Sequence, residues 1–322
     1  MSISEITLEE LNSEEFIDEQ VKAIRSAVGD EIAINALSGG VDSSVVTLLG
    51  HRALGDRLKN YFIENGLMRE GEPQQIVRWF ADLGVEVEIV DARDKFFAGL
   101  KSVTDPEEKR EKGITQVFYK DVFAELVRQS GAKVLLQGTN YTDVEETAAG
   151  VKRQHNVFEQ IGIDPEEAFG YKVIEPILPL RKPAVRVVAR ALGLPEAISE
   201  RPPFPGPALS ARVIGEATPE RIATVRIATR IVEEELADSG AFQYLAILHE
   251  DMVTGIRDGE RDFGQQIEVR CWESTDAVTA TPTDLPFATL RGIADRIIKE
   301  VPGVVSVTYN VTAKPPSCIE AV

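Results

Sequence analysis

The run Ala36-Leu37-Ser38-Gly39-Gly40-Val41-Asp42-Ser43-Ser44 constrains this chain more than any other stretch. It follows Glu31-Ile32-Ala33-Ile34-Asn35, an apolar-alternating segment that reads as a buried strand. It precedes Val45-Val46-Thr47-Leu48-Leu49, which reads as the first buried turns of a helix. A strand, a glycine-rich turn and a helix start gather backbone N–H groups around an anion. Two adjacent glycines let that backbone approach a phosphate with no Cβ in the way. Ser38, Ser43 and Ser44 add hydroxyl donors, and Asp42 stands where a carboxylate could hold Mg²⁺ bridging phosphates. No Lys follows the glycines, so the loop is not of the G-x-x-x-x-G-K-[ST] kind, nor is it G-x-G-x-x-G. Taken alone it could also be an ordinary serine-rich turn capping a helix.

The pattern repeats downstream. Strands are expected over 58–65, 85–90, 133–139 and 172–177, with helices over 14–28, 74–83, 94–100, 105–130 and 182–192. This alternation predicts an α/β fold, a parallel sheet with helices on both faces. Ligands of such sheets sit at the carboxyl ends of the strands, where Ser38, Asn65 and Gln137-Gly138-Thr139 would emerge. Residues 141–169 are polar and lack periodicity, which reads as a lid or an insertion. Four prolines between 202 and 207 forbid regular structure and place a junction over 201–215, between domains at 1–200 and 216–322. The second domain reads as a small α+β unit. It has helices over 218–236 and 285–300 and strands over 244–248, 266–272 and 304–311, with 255–264 a turn-rich connection. A three-stranded sheet covered on one face leaves the other seeking a partner, so a homodimer is expected.

At 322 residues two domains are natural. A net charge of −18 argues against non-specific nucleic-acid binding, which needs a basic footprint. No apolar signal region opens the chain and no stretch approaches a membrane span. Cys271 and Cys318 are too few for a disulfide framework or a cysteine zinc site. A cytoplasmic setting is expected.

Ser-Gly-Gly-x-Asp-Ser after a first strand resembles the loop of the PP-loop ATP pyrophosphatases, of the adenine nucleotide alpha hydrolase-like fold. Further stretches extend the resemblance to the GMP synthase ATP pyrophosphatase subunit, the B subunit of the two-chain enzymes, with its C-terminal dimerisation domain. They are Glu64-Asn65-Gly66-Leu67-Met68-Arg69, Thr104-Asp105-Pro106-Glu107-Glu108-Lys109-Arg110, His155-Asn156-Val157, Pro203-Phe204-Pro205-Gly206-Pro207 and Lys314-Pro315-Pro316-Ser317-Cys318-Ile319-Glu320. The resemblance implies adenylation of the C2 oxygen of XMP by ATP with Mg²⁺. Ammonia from a separate glutaminase subunit then displaces AMP to give GMP. It also implies roles for residues. Asp42, Asp143, Glu146, Lys152 and Lys182 would be catalytic, and Asp42 and Asp143 would hold the metal. Ala36, Ser38, Gly39, Gly40, Val41, Asp42, Ser43, Ser44, Leu67 and Gly138 would contact ATP or pyrophosphate. His155, Arg201, Pro205, Gly206, Lys314, Ile319 and Glu320 would contact the acceptor. The chain departs from the family pattern in the lid, at Tyr141-Thr142-Asp143 and Lys152-Arg153-Gln154-His155-Asn156. It departs again at Lys182-Pro183-Ala184-Val185-Arg186, at Ala208 and at the closing Ala321-Val322. Two alternatives stay open. One is a paralogue that adenylates a different carbonyl for amidation or sulfur transfer, the other a nucleotide-binding regulator without turnover.

Overall fold

The computed structural model describes residues 4–148, 170–201, 204–257, 259–275 and 278–321. The chain forms two compact units. The first comprises Met1–Glu64, Glu72–Ala92 and Phe118–Arg201, and the second Asn65–Gly71, Arg93–Val117 and Pro202–Val322.

The first unit holds β1 (Ala33–Leu37), β2 (Leu58–Glu64), β3 (Glu88–Asp91), β4 (Val134–Leu136) and β5 (Lys172–Ile174). All neighbours pair in parallel, in the order β3-β2-β1-β4-β5. Helix α1 (Ser13–Val28) buries Phe16, Ile17, Ile24 and Val28, and the Asn12 side chain caps it by accepting from Glu15 N. Helix α2 (Val41–Leu54) is buried almost all round, against β1, β2, β4, α1 and the helix Lys182–Ala191. Its hydroxyls therefore return to their own backbone: Ser44 Oγ donates to Gly40 O at 2.8 Å and Thr47 Oγ1 to Ser43 O at 2.7 Å. Helix α3 (Glu72–Asp82) buries Ile76 and Phe80. The strand order reverses between β1 and β4, which opens a crevice at their carboxyl ends.

Two expectations change here. The segment after 140 opens as a helix, Tyr141–Ala148. Asn140 Oδ1 accepts from the N–H groups of Thr142 (2.9 Å) and Asp143 (3.2 Å), while Asp143 Oδ2 accepts from Asn140 N at 3.0 Å. This reciprocal cap starts a helix without an apolar stripe. The stretch 105–130 is helical but not uniform, since Pro106–Arg110 and Ala124–Ser130 flank a wider i→i+5 coil over Glu111–Phe123.

In the second unit β6 (Gln243–Arg257) and β7 (Glu260–Glu273) form one long antiparallel hairpin. β8 (Thr281–Pro282) pairs antiparallel with β7, and β9 (Val304–Tyr309) pairs parallel with it. The helices Pro219–Leu236 and Phe287–Glu300 pack on β6 and β9 respectively and on each other. Of the turn-rich connection expected over 255–264, residues 255–257 and 260–264 are instead strand. Gly255 and Gly264 are there for packing: a Cβ on either would lie 2.8 or 2.5 Å from Val305 side-chain atoms. The opposite hairpin face exposes Met252, Ile256 and Phe263.

Candidate functional site

The loop after β1 lies at the switch point. Gly39 takes φ +78°, and a Cβ there would run into the Ile76 side chain. Only glycine fits on both counts. Ser43 Oγ receives the Ser38 N–H at 3.2 Å and donates to Gly40 O at 3.1 Å, closing the loop on itself. Ser38 Oγ lies 3.0 Å from Ser43 Oγ and accepts from Gly40 N at 3.4 Å. Gly40 caps α2 without a side-chain acceptor. The first helical bond runs from Ser44 N to Gly40 O, so the N–H groups of Gly39, Val41, Asp42 and Ser43 have no hydrogen-bond partner among the described residues. Four backbone donors at a helix N-terminus form an anion cradle.

Gly138, just beyond β4, closes the other wall. A Cβ there would stand 3.1 Å from both Asp42 C and Ser43 N. The β4 end and the cradle are thus in backbone contact. Beside it, Thr139 Oγ1 bonds Glu175, and Gln137 Nε2 donates to Thr139 Oγ1 at 3.1 Å. Burial raises the Tyr119 phenol well above its ordinary value, with smaller contributions from Tyr171, Asp143 and Glu175. Burial pushes Tyr171 up to about 12.

Asp42 and Lys182, both expected to be catalytic, form an ion pair through Asp42 Oδ2 and Lys182 Nζ. Asp42 Oδ1 is buried and has no hydrogen-bond partner among the described residues. An orphaned carboxylate oxygen facing an anion cradle suits a hard, oxygen-preferring cation, so the donor chemistry fits Mg²⁺. Asp143 keeps one oxygen on its cap. Among the described residues no group of three or more His, Cys, Asp or Glu converges as a metal site. The Glu146 backbone lies in the helix Tyr141–Ala148, and its side chain, Lys152 and His155 fall outside the described residues.

Arg201, expected to contact the acceptor, lies beside the loop. Its Nη1 donates to Gly39 O at 3.1 Å and its Nη2 pairs with the buried Glu72 at 2.6 Å, so it braces the cradle. The remaining expected residues belong to the second unit. Leu67 is buried, with its N–H on Asn65 Oδ1 (2.8 Å) and its carbonyl on Leu209 N (2.9 Å). Pro205 O accepts from Ala208 N at 2.9 Å, turning the chain around Gly206. Lys314 exchanges two backbone bonds with Ala280. The Ile319 side chain sits in a core cluster with Leu245, Ile247 and Trp272, so only its backbone can meet a ligand. The Glu320 carboxylate is held in place, by two 3.1 Å bonds from Arg212 and a third at 2.8 Å from Gln243 Nε2. The guanidinium of Arg212, 1% exposed, also stands 5.0 Å over the Phe204 ring, and that of Arg69 stands 3.9 Å over the same ring. Sequence reasoning missed Glu72, Arg212 and Gln243. The one available signal was Arg212 inside the apolar run 208–214.

A doubly wound parallel sheet with an anion cradle at its switch point defines a nucleotide-binding α/β protein. The chain belongs to the family of GMP synthase B subunits. The B subunit of the glutamine-hydrolyzing GMP synthase of Archaeoglobus fulgidus is 47% identical over 310 residues, covering 96% of this chain and 99% of its own. The Pyrococcus furiosus protein of the same name is 47% identical over 95% of this chain and 97% of its own, and that of Methanocaldococcus jannaschii 44% over 95% and 97%. The family model described as the GMP synthase C terminal domain matches residues 222–321. A solved NMN synthetase of Francisella tularensis covers 62% of this chain and 78% of its own, at TM-score 0.47 and 16% identity. No helix of the described residues is long and apolar enough to cross a membrane.

Proposed function

We propose that this chain is the ATP pyrophosphatase subunit of a GMP synthase, acting in the cytoplasm with a separate glutamine amidotransferase subunit and as a homodimer. The observation that carries the reading is the cradle of unpartnered N–H groups at Gly39, Val41, Asp42 and Ser43. In the first step the C2 oxygen of XMP attacks the α-phosphorus of ATP. An O–P bond forms and the bond to the β-phosphate bridging oxygen breaks. In the second step ammonia attacks C2, the C–O bond to AMP breaks, and nitrogen loses a proton to solvent. AMP is a far better leaving group than a ring carbonyl oxygen, which is why ATP is consumed.

The residues serve the departing pyrophosphate. The cradle donors meet its oxygens with no reorganisation, and water is poorly placed to compete with them. Ser38 and Ser43 hold the loop's shape. Lys182 balances the charge of Asp42 and adds a cation at the phosphates. Asp42 and Asp143 would hold Mg²⁺, which would neutralise charge on the leaving group. The exposed hairpin face with Met252, Ile256 and Phe263 supports self-association.

Purified protein given ATP, Mg²⁺, XMP and ammonium should release GMP and pyrophosphate. Asp42→Asn should fold normally yet lose about 3–4 kcal/mol of transition-state stabilisation, roughly a hundredfold or more in rate. No ATP turnover with XMP would sink the reading, and unchanged turnover in the variant would reduce Asp42 to a helix-start residue.

A further inference from the structure

Beyond β9 the described residues form no helix or strand apart from the Lys314–Ala280 bridge, yet the segment 318–320 is tightly held. The holder is Arg270 on β7. Its Nη1 donates to three successive carbonyls: Cys318 at 2.7 Å, Glu320 at 3.1 Å and Ile319 at 3.3 Å. Its Nε donates to Glu268 Oε1 at 2.5 Å, two residues back on the same strand face. Glu268 also accepts from Asn310 Nδ2 at 3.0 Å and bonds His249 Nε2 at 2.7 Å. The Arg270 and Glu268 side chains are only 10% and 12% exposed. Burial opposes the Glu268 charge, but these partners hold its carboxyl below the ordinary value. Burying such a pair is costly, and an apolar pair of similar size would stabilise the sheet as well or better. The pair therefore calls for a positional role.

That role follows from what it leaves over. The three carbonyls each accept from Arg270, and the Glu320 carboxylate accepts from Arg212 and Gln243. The N–H groups of Cys318, Ile319 and Glu320 have no partner among the described residues. We propose that Arg270 is a positioning residue that fixes this segment, oriented through Glu268, so that its unpartnered N–H groups meet oxygens of the acceptor nucleotide. The inference rests on the reading of the segment as acceptor-binding.

Arg270→Met and Glu268→Gln, the second keeping shape and removing only the orienting charge, test this in the full chain. Hydrogen exchange across 314–321 should quicken by about tenfold or more in Arg270→Met and less in Glu268→Gln, as loss of a charge-assisted bond entails. The KM for XMP should rise by about tenfold while the KM for ATP stays within about twofold. Arg270→Lys should not rescue, because one ammonium cannot serve Glu268 and three carbonyls in this geometry. Unaltered exchange, or XMP and ATP constants rising together, would overturn the assignment. The exchange measurement needs no substrate, so it decides on the strap even if wild-type protein fails to turn over XMP, which is the separate failure of the functional reading.

Discussion

Replacing Gly138 by alanine adds one methyl group at a place where the two nearest atoms are backbone. The new Cβ would sit 3.1 Å from Asp42 C and Ser43 N and 3.4 Å from Asp42 Cβ, so no flexible side-chain end can swing aside. Carbon contacts settle at about 3.5–4.0 Å, so β4 and the start of α2 must separate by roughly half an ångström. Overpacking of this kind costs about 1–3 kcal/mol of stability. The displaced atoms include the amide of Ser43, one of the cradle donors. A misplacement of about 1 Å can cost a hundredfold in rate, so half of that should cost about tenfold. Pyrophosphate release with XMP and ammonium, measured beside urea unfolding, separates the two effects. At temperatures where the variant remains fully folded, release should still fall by about tenfold. A destabilised variant with wild-type turnover would mean that the cradle does not hold the leaving group.

Lys109 gives a pH prediction. It is 1% exposed, donates to Val213 O at 2.6 Å, and burial, aided by Arg221, lowers its pKa from 10.5 to about 8. Between pH 8 and 10.5 the unfolded chain holds a proton that the folded one has lost, so stability contributed by this group rises with pH, by at most about 3 kcal/mol. Urea unfolding of wild type and Lys109→Met should therefore diverge in favour of wild type from pH 8 to 10, and a pH-independent gap would contradict the burial cost. Gly292 lies in the helix Phe287–Glu300 with nothing within 4 Å of an added Cβ, so Gly292→Ala should stabilise by about 0.5–1 kcal/mol in thermal unfolding. The double change Ile256→Ser and Phe263→Ser should shift sedimentation toward a monomer if the exposed hairpin face joins two copies.

The loop and the sheet were legible because one local feature served both: Gly39-Gly40 between a buried strand and a buried helix admits few alternatives. Gly255 and Gly264 misled for the opposite reason. Their cause is Val305, some 40 to 50 residues away, and a glycine that makes room for a distant side chain looks locally like a turn. Arg270 was readable only in part. Glu268, Arg270 and Trp272 share one strand face, and a Trp on a charged face hints that this face is covered. What the charges hold could not be read, since the held carbonyls lie about fifty residues further on. Asn140 and Asp143 formed a local cap that a polar, aperiodic segment concealed.

The second unit is assembled from three separate lengths of chain, Asn65–Gly71, Arg93–Val117 and Pro202–Val322. During synthesis the two early lengths emerge long before the third. Leu67 and Lys109, each at most 2% exposed in the finished fold, then lack the third length that supplies Leu209 N and Val213 O to them. Such far-flung pairing slows folding and leaves sticky intermediates. A nascent chain halted near residue 200 thus carries bare apolar surface with no native partner yet made. That makes it a client for chaperones, and a fragment ending there a poor candidate for expression by itself.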